Sequence, residues 1–338
     1  MSARGPDLDG VLVQWGERLF YPGNRIVRSG TPRLSGQLAS RAAAVRARIQ
    51  ATVVRRAPQV MVKVTGGGRG MAAIAAHFRY ISKGGQLPFE DDRGVEREGR
   101  EALHELAGQW QYGESYIGET SHRREAFNIM LSMPSETAPI SLQRAAREFA
   151  HAELADHRWV MVLHDHQANP HVHLSVRAES VHGRRLNPRK ADLQRWRETF
   201  AEKLRGWGID ADATRQATRG QVRRYEPLWR IKAREDGRLR SSTPESKSGA
   251  AAERSRKEAI VAWARIARGL ATSPDPADQA LVAQVDEYVR KTPFGQAFIH
   301  RRDRGLISGA REPSRQVSRS QQLVRSPLPA ERTPEPRR

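Results

Sequence analysis

Four of the eleven histidines of this chain lie within ten residues, in the segment HDHQANPHVHL. If HVHLSV forms a strand, His171 and His173 project from one face, because alternate side chains of a strand share a face. His164 ends a preceding apolar segment, and an Asn-Pro turn brings it across from that pair. Three imidazoles that converge and leave positions open for water and substrate are typical of a catalytic divalent-ion site. The alternative interpretation is a surface cluster of solvated or satisfied histidines.

The metal and the outer groups of this site stay open at this point. Imidazole binds Zn, Ni, Cu, Mn and Fe, so the histidines alone do not select the ion. Asp165 and His166 lie in the predicted turn. Each is a candidate general base or outer-shell group, and the alternative for His166 is a simply exposed side chain.

A metal beside a basic groove needs a nucleophile, and Tyr80 is the most suggestive of six tyrosines. It lies in HFRYISKGG, two residues after Phe78, and therefore off the apolar stripe of the predicted helix. Arg79 and Lys83 flank it and can hold phosphate. Water as the nucleophile would make the protein an ordinary nuclease, whereas a tyrosine gives a covalent phosphotyrosyl intermediate and a strand-transfer enzyme. The alternative is a partly buried structural tyrosine.

The elements that must position these residues alternate along the chain. Strand patterns occur in QVMVKV, AFNIMLSM, RWVMVLH and HVHLSVRAE, and helical patterns in MAAIAAHFRYIS, in the segment after Ser141 and in the long amphipathic segment after Pro188. This order predicts an α/β fold of the α+β type, with a central antiparallel sheet and helices packed mainly on one face.

Composition restricts the partners. Lys+Arg 58 against Asp+Glu 38 gives a net charge of +20, which favours a polyanion such as nucleic acid. The chain has no cysteine, which excludes disulfides and thiolate metal sites and fits a reducing cytoplasm. No long apolar run or signal-peptide core is present, so we expect no membrane insertion and a cytoplasmic location.

Composition shifts predict four regions. They are a basic, partly helical N-terminal arm (1–57), a catalytic domain (58–225), a charged linker with a small helical region (226–310) and a disordered basic tail (311–338).

Three motifs in this order resemble those of conjugative relaxases, the mobilization nucleases of the HUH endonuclease class. The segment QVMVKVTGGGRGMAAIAAHFRYISKGGQLPFEDDRG is similar to the first motif, closest to the border-nicking relaxase of tumour-inducing plasmids. FNIMLSMP resembles the middle motif and HDHQANPHVHL the third. The resemblance covers roughly residues 58–225. It departs from the family where an acidic residue often stands two positions after the first histidine, a place taken here by His166.

The resemblance implies roles for individual residues. Tyr80 matches the nucleophile, and His164, His171 and His173 match the ligands of a divalent ion, with Mg or Mn expected and Zn as a further option. Ser132 matches a contact to the DNA backbone. From their charge and place in the core, Arg79, Lys83 and Arg177 are further expected at the DNA backbone.

The implied activity is a conjugative relaxase that nicks single-stranded DNA at a transfer origin through a 5′-phosphotyrosyl intermediate and pilots the strand. Its partners would be relaxosome accessory proteins and a type IV secretion coupling protein, with passage into a recipient cell. The predicted tail (311–338) is either a recruitment signal for a type IV secretion channel or a merely solvated disordered end. The alternatives are a rolling-circle replication initiator, in which the tyrosine usually follows the histidines, and a non-catalytic DNA-binding protein with a degenerate site.

Overall fold

A computed structural model describes residues 8–20, 36–166, 169–221, 233–234, 236–239 and 249–300 of the 338-residue chain. The strands are β1 (Met61–Gly66), β2 (Phe89–Asp91), β3 (Glu96–Arg97), β4 (Ala126–Ser132), β5 (Trp159–His164) and β6 (His171–Arg177). The helices are α1 (Leu8–Phe20), α2 (Leu38–Ile49), α3 (Met71–Ile81), α4 (Arg100–Tyr112), α5 (Pro139–Glu153), α6 (Lys190–Gly206), α7 (Ala250–Leu270) and α8 (Pro276–Lys291). A π-helical turn, Gln50–Val54, extends α2.

The six strands form one sheet in the order β1-β4-β6-β5-β2-β3, and its neighbouring strands pair antiparallel. β5 and β6 pair so that His164 lies opposite His171 and Val162 opposite His173. The fold class expected from the sequence is thereby confirmed.

Alternation along the strands divides the sheet into two faces. On the first face Val172, Leu174 and Val176 of β6 join a core that α5 and α6 cover with Phe149 and Trp196. On the second face α3 and α4 cover β2 and β5 through a separate core, whose members include Ile74, Phe78, Leu103, Trp110, Val160 and Val162. The second helical layer goes beyond the expected packing, which placed the helices mainly on one face.

Helices α3 and α4 leave part of the second face uncovered. Met61, Lys63 and Thr65 of the edge strand β1 are exposed there, and Asn128 and Met130 of β4 are half-buried. We call these five residues the open strip. Met130 pairs with Lys63 on one side and with His173 on the other, so the open strip leads directly to the histidines.

Helices from both ends of the chain form a further core. Leu12 and Phe20 of α1 and Val45 of α2 pack against Trp263 of α7 and Leu281 of α8. This packing corrects the expected basic arm and charged linker, because both segments contribute buried apolar residues to this core. We call the four helices α1, α2, α7 and α8 the helical unit. The described part of the chain up to Gln296 forms one compact unit. The predicted tail, 311–338, lies outside the described residues.

Among the described residues, no helix combines the length and the apolar character needed to cross a membrane.

Candidate active site

The three histidines of the β5–β6 pair meet at one end of the sheet, on its second face. Their ring centroids are 5.0 Å (His164–His171), 4.7 Å (His164–His173) and 4.9 Å (His171–His173) apart. One nitrogen from each ring lies within 4.8 Å of the other two. The sheet register produces this arrangement, because His164 and His171 are direct cross-strand partners and His173 is the next residue on the same face.

The hydrogen bonds of two rings identify which nitrogens are free to bind an ion. Nε2 of His164 donates to the carbonyl oxygen of Ile81 (2.6 Å), and Nδ1 of His171 donates to that of Asn169 (2.9 Å). In a neutral imidazole the other nitrogen then holds a lone pair. Nδ1 of His164 and Nδ1 of His173 are buried without a partner. Unpartnered buried nitrogens on converging rings fit a divalent ion that completes their bonding.

Burial keeps these rings in the form that binds metal. Desolvation, together with the neighbouring His164, His171 and His77, lowers the pKa of His173 to about 3. The pKa of His164 is lowered mainly by burial, against a hydrogen bond to the Ile81 carbonyl. Both rings are therefore neutral at pH 7 and available as ligands.

Tyr80 lies next to this cluster and faces solvent. It occupies the last turn of α3, one residue before Ile81, whose carbonyl holds His164. Its side chain is 62% exposed. Its ring stacks at 6.2 Å on the ring of His77, which in turn lies edge-on at 6.4 Å from His173. The structure thus brings the phenol and the three imidazoles to the same side of the sheet, with His77 between them.

His77 belongs to this group of rings although its role was not predicted from the sequence. Its Nε2 is buried without a hydrogen-bond partner, and burial lowers its pKa to about 4. The available signal was spacing, because residues three apart on a helix share a face and His77 precedes Tyr80 by three. The open strip was also not predicted. The signal for one of its members was strand alternation, because Val62 and Val64 on one face of β1 place Lys63 on the other face.

Arg79 and Lys83, the two cations that flank Tyr80 in the sequence, are both exposed. Lys83, two residues beyond the end of α3, has a φ of 51°, and Gly84 follows with a φ of 72°, so the chain turns sharply after the tyrosine. Asp165 and His166 are both exposed, and the His166 ring lies 5.2 Å from that of His164.

Two residues expected at the DNA are occupied within the fold instead. Arg177 is buried, and its guanidinium donates to the carbonyls of Trp110, Gly113 and Ser115 at the end of α4. Ser132 is also buried, beside His171 in the register, and its hydroxyl donates to the carbonyl of Pro170. Arg177 and Ser132 therefore support the α4 end and the histidine turn, which corrects their expected contact with DNA.

Comparison with known families bears on this part of the chain. Residues 90–209 match the family model of the MobA/VirD2-like relaxase nuclease domain. The match supports the relaxase family and, in general, a DNA-nicking relaxase with endonuclease activity. It includes the three histidines, covers about a third of the chain and begins after Tyr80. No curated protein matches the chain.

Proposed function

We propose that this protein nicks single-stranded DNA by metal-assisted transesterification, with Tyr80 as the nucleophile and His164, His171 and His173 as the ligands of a divalent ion. The supporting observation is the chain of contacts from the exposed phenol through His77 to His173. A nucleophile and a metal centre on one side of a sheet are the two parts that a strand-transferring nuclease needs.

The proposed step is balanced without an external energy source. The Tyr80 hydroxyl oxygen forms a bond to the scissile phosphorus and gives up its proton, while the bond from phosphorus to the 3′ oxygen breaks and that oxygen takes up a proton. The 5′ end stays on the tyrosine as a phosphodiester, so the step is reversible. The bound ion, expected to be Mg²⁺ or Mn²⁺ with Zn²⁺ as an alternative, supplies Lewis-acid stabilisation of the charge on the phosphate oxygens.

The chain's own residues orient the reactants. The Ile81 carbonyl ties the last turn of α3 to His164, which fixes the tyrosine relative to the ligands. The His77 ring supports the tyrosine ring from the side of His173. Orientation of this kind lowers the barrier because the attacking oxygen is held near the phosphate before reaction.

The open strip provides a route for the DNA strand. Lys63 offers a cation for phosphate, Asn128 an amide for a base edge and the thioethers of Met61 and Met130 apolar surfaces for bases. Because the strip adjoins His173, a strand lying on it reaches the proposed metal ligands. Arg79 and Lys83 flank the tyrosine and extend the basic border.

The physiological role that this chemistry suits is conjugative mobilization. A relaxase that keeps the 5′ end covalently attached can pilot the strand from a transfer origin, and relaxosome proteins and a type IV secretion coupling protein would be its partners. On this proposal the protein works in the cytoplasm and accompanies the strand to the recipient.

Covalent capture of DNA tests the proposal. Single-stranded oligonucleotides tiled across the replicon that encodes the chain are incubated with the protein and Mn²⁺, and adducts are resolved by denaturing electrophoresis and mapped by mass spectrometry. We expect one nick site with the DNA 5′ end on Tyr80. The adduct disappears in Tyr80→Phe.

Tyr116→Phe is the matched control, because Tyr116 is similarly exposed at 67% and lies outside the proposed centre. Its adduct level should equal that of the wild type. An adduct that persists in Tyr80→Phe, or DNA binding with no adduct on any oligonucleotide, would contradict the proposed chemistry.

A further inference from the structure

The helical unit presents a row of cations on the solvent side of α7. Arg254, Lys257, Arg265 and Arg268 are all exposed, and their spacing of three to eight residues places them on one helix face. The row spans about 21 Å at the rise of an α-helix. Val261 and Ala264, which are also exposed, lie between these cations.

Two arginines at this face are held by an aromatic ring instead of a carboxylate. The guanidinium carbons of Arg18 and Arg265 lie 4.6 and 5.8 Å from the centroid of the Trp15 ring. Cation–π contact orients a guanidinium but leaves its N–H groups free to donate. Two like charges on one indole repel each other, so an anion that bridges them would be stabilising. We call the α7 row together with Arg18 and Trp15 the basic helical face.

Within the described residues, the pairing of cations differs sharply between this face and the interior of the same unit. Arg46 of α2 pairs with Asp9 and Asp278, each at 3.0 Å. Arg18, Arg254, Arg265 and Arg268 have no carboxylate partner in the part of the chain that the structure describes. Lys257 has Glu253 at 3.4 Å. Glu258 borders the face, and its charge acts on the half-buried Arg215.

We propose that the basic helical face binds the phosphate backbone of duplex DNA beside the nicked strand. Backbone readout suits it, because guanidiniums and an ammonium are spread along a straight face. The face offers no free aromatic ring for unpaired bases, since Trp15 is half-buried under its two arginines. A duplex, whose bases are already stacked, is therefore the better partner. The proposal rests on the proposed DNA-processing function, but its test needs no cleavage.

Salt-dependent binding to a short blunt duplex of arbitrary sequence tests this proposal, with every protein in a Tyr80→Phe background. The test variant replaces Arg18, Arg265 and Arg268 by Ala. Each lost phosphate contact lowers the slope of log K against log salt by about 0.9 for duplex DNA, so we expect the slope to fall by about 2 to 3. A variant with Trp15→Leu should lose part of the same slope, whereas Trp15→Phe should retain most of it.

A control variant with three other arginines replaced shows whether duplex binding depends on the basic helical face or only on the total charge of the protein. Arg144, Arg195 and Arg290 are exposed arginines on other helices, and their replacement by Ala removes the same net charge. The proposal expects duplex binding of this control to stay near that of the parent. Equal slopes for both triples, an unchanged slope for the test triple, or a loss confined to single-stranded DNA would overturn it. Adduct formation in the wild-type background on a single-stranded oligonucleotide should survive the test triple, so failure of this proposal and failure of the nicking chemistry are distinguishable.

Discussion

Two of the places where the chain buries polar groups differ in how those groups are bonded. Asp212 is 1% exposed, and its carboxylate accepts from Thr52, Thr214 and Arg219 at 2.7 to 2.9 Å. At the histidine cluster, Nδ1 of His164 and Nδ1 of His173 are buried with no partner. A fully bonded buried group stabilises the fold, whereas unpartnered buried nitrogens on converging rings mark a place for a ligand.

Asp212 and the three residues that donate to it, which we call the Asp212 node, also connect distant segments of the chain. Thr52 belongs to the π-helical turn after α2, and Arg219 donates to the Ala57 carbonyl as well. Burial alone would raise the pKa of Asp212, but the hydrogen bond from Thr214 and the charges of Arg219 and Arg48 hold it below its usual range. This node therefore ties the helical unit to the chain that enters β1.

The largest effect is predicted at the bonded site. Asp212→Ala leaves Arg219 and Thr52 without their acceptor, so the free energy of unfolding should fall by about 3–5 kcal/mol, as for other broken buried pairs. Urea denaturation monitored by circular dichroism measures it. A loss below about 1 kcal/mol would mean that the node is not structural, and the comparison would fail.

A smaller effect is predicted where a ring positions another group. His77→Leu removes the ring between Tyr80 and His173 while keeping an apolar side chain in a half-buried place. We expect the rate of adduct formation to fall by about tenfold, which is the small end of the losses seen when a group next to the metal ligands is removed. The free energy of unfolding should not change. His104→Leu on the exposed side of α4 is the control, and equal rates for the two variants would remove His77 from the mechanism.

The pH dependence of stability should distinguish the two sites further. The unfolded chain binds a proton on His173 near pH 6.5, whereas the folded protein does so near pH 3, because burial lowers the pKa. Between these values the unfolded state binds more protons, so the stability of the metal-free protein should fall as pH falls from about 6.5. Urea midpoints across this range measure it, and the fall should be shallower in His173→Leu. If the urea midpoints of the wild type and of His173→Leu change identically with pH, the lowered pKa of His173 is contradicted.

The smallest effect is predicted at neutral pH for the histidines themselves. His173→Leu removes a buried nitrogen that has no partner, so the free energy of unfolding of the metal-free protein should stay within about 1 kcal/mol of the wild type. The same urea experiment that reports on Asp212→Ala gives this value. A loss as large as that of Asp212→Ala would show that the histidine is structural and that the two sites do not differ.

Local patterns in the sequence were sufficient to predict which strand face carries His171 and His173 and that Tyr80 lies outside the core. Alternation in HVHLSV placed His171 and His173 on one face, and the helical stripe left Tyr80 outside the core, both as the structure shows. The same alternation placed Arg177 on the histidine face, but it contained no information that the end of α4 covers that position.

Contacts between segments that are distant in the chain could not be predicted from the sequence. Leu12 and Trp263 share one core although about 250 residues separate them in the chain. The segment of α2 alone indicated only a weak apolar stripe, because α2 buries small or isolated residues such as Ala42 and Val45. The stripe becomes a core only when helices from both chain ends supply the opposing faces.

Binding of Mn²⁺ to the metal-free protein, followed by electron paramagnetic resonance, tests the central claim most directly. We predict one ion per chain, with binding lost in His164→Ala and His173→Ala and retained in His166→Ala, whose exposed ring lies beside the cluster without joining it. The absence of binding in the wild type, or an equal loss in His166→Ala, would contradict the account that the converging imidazoles form a metal centre.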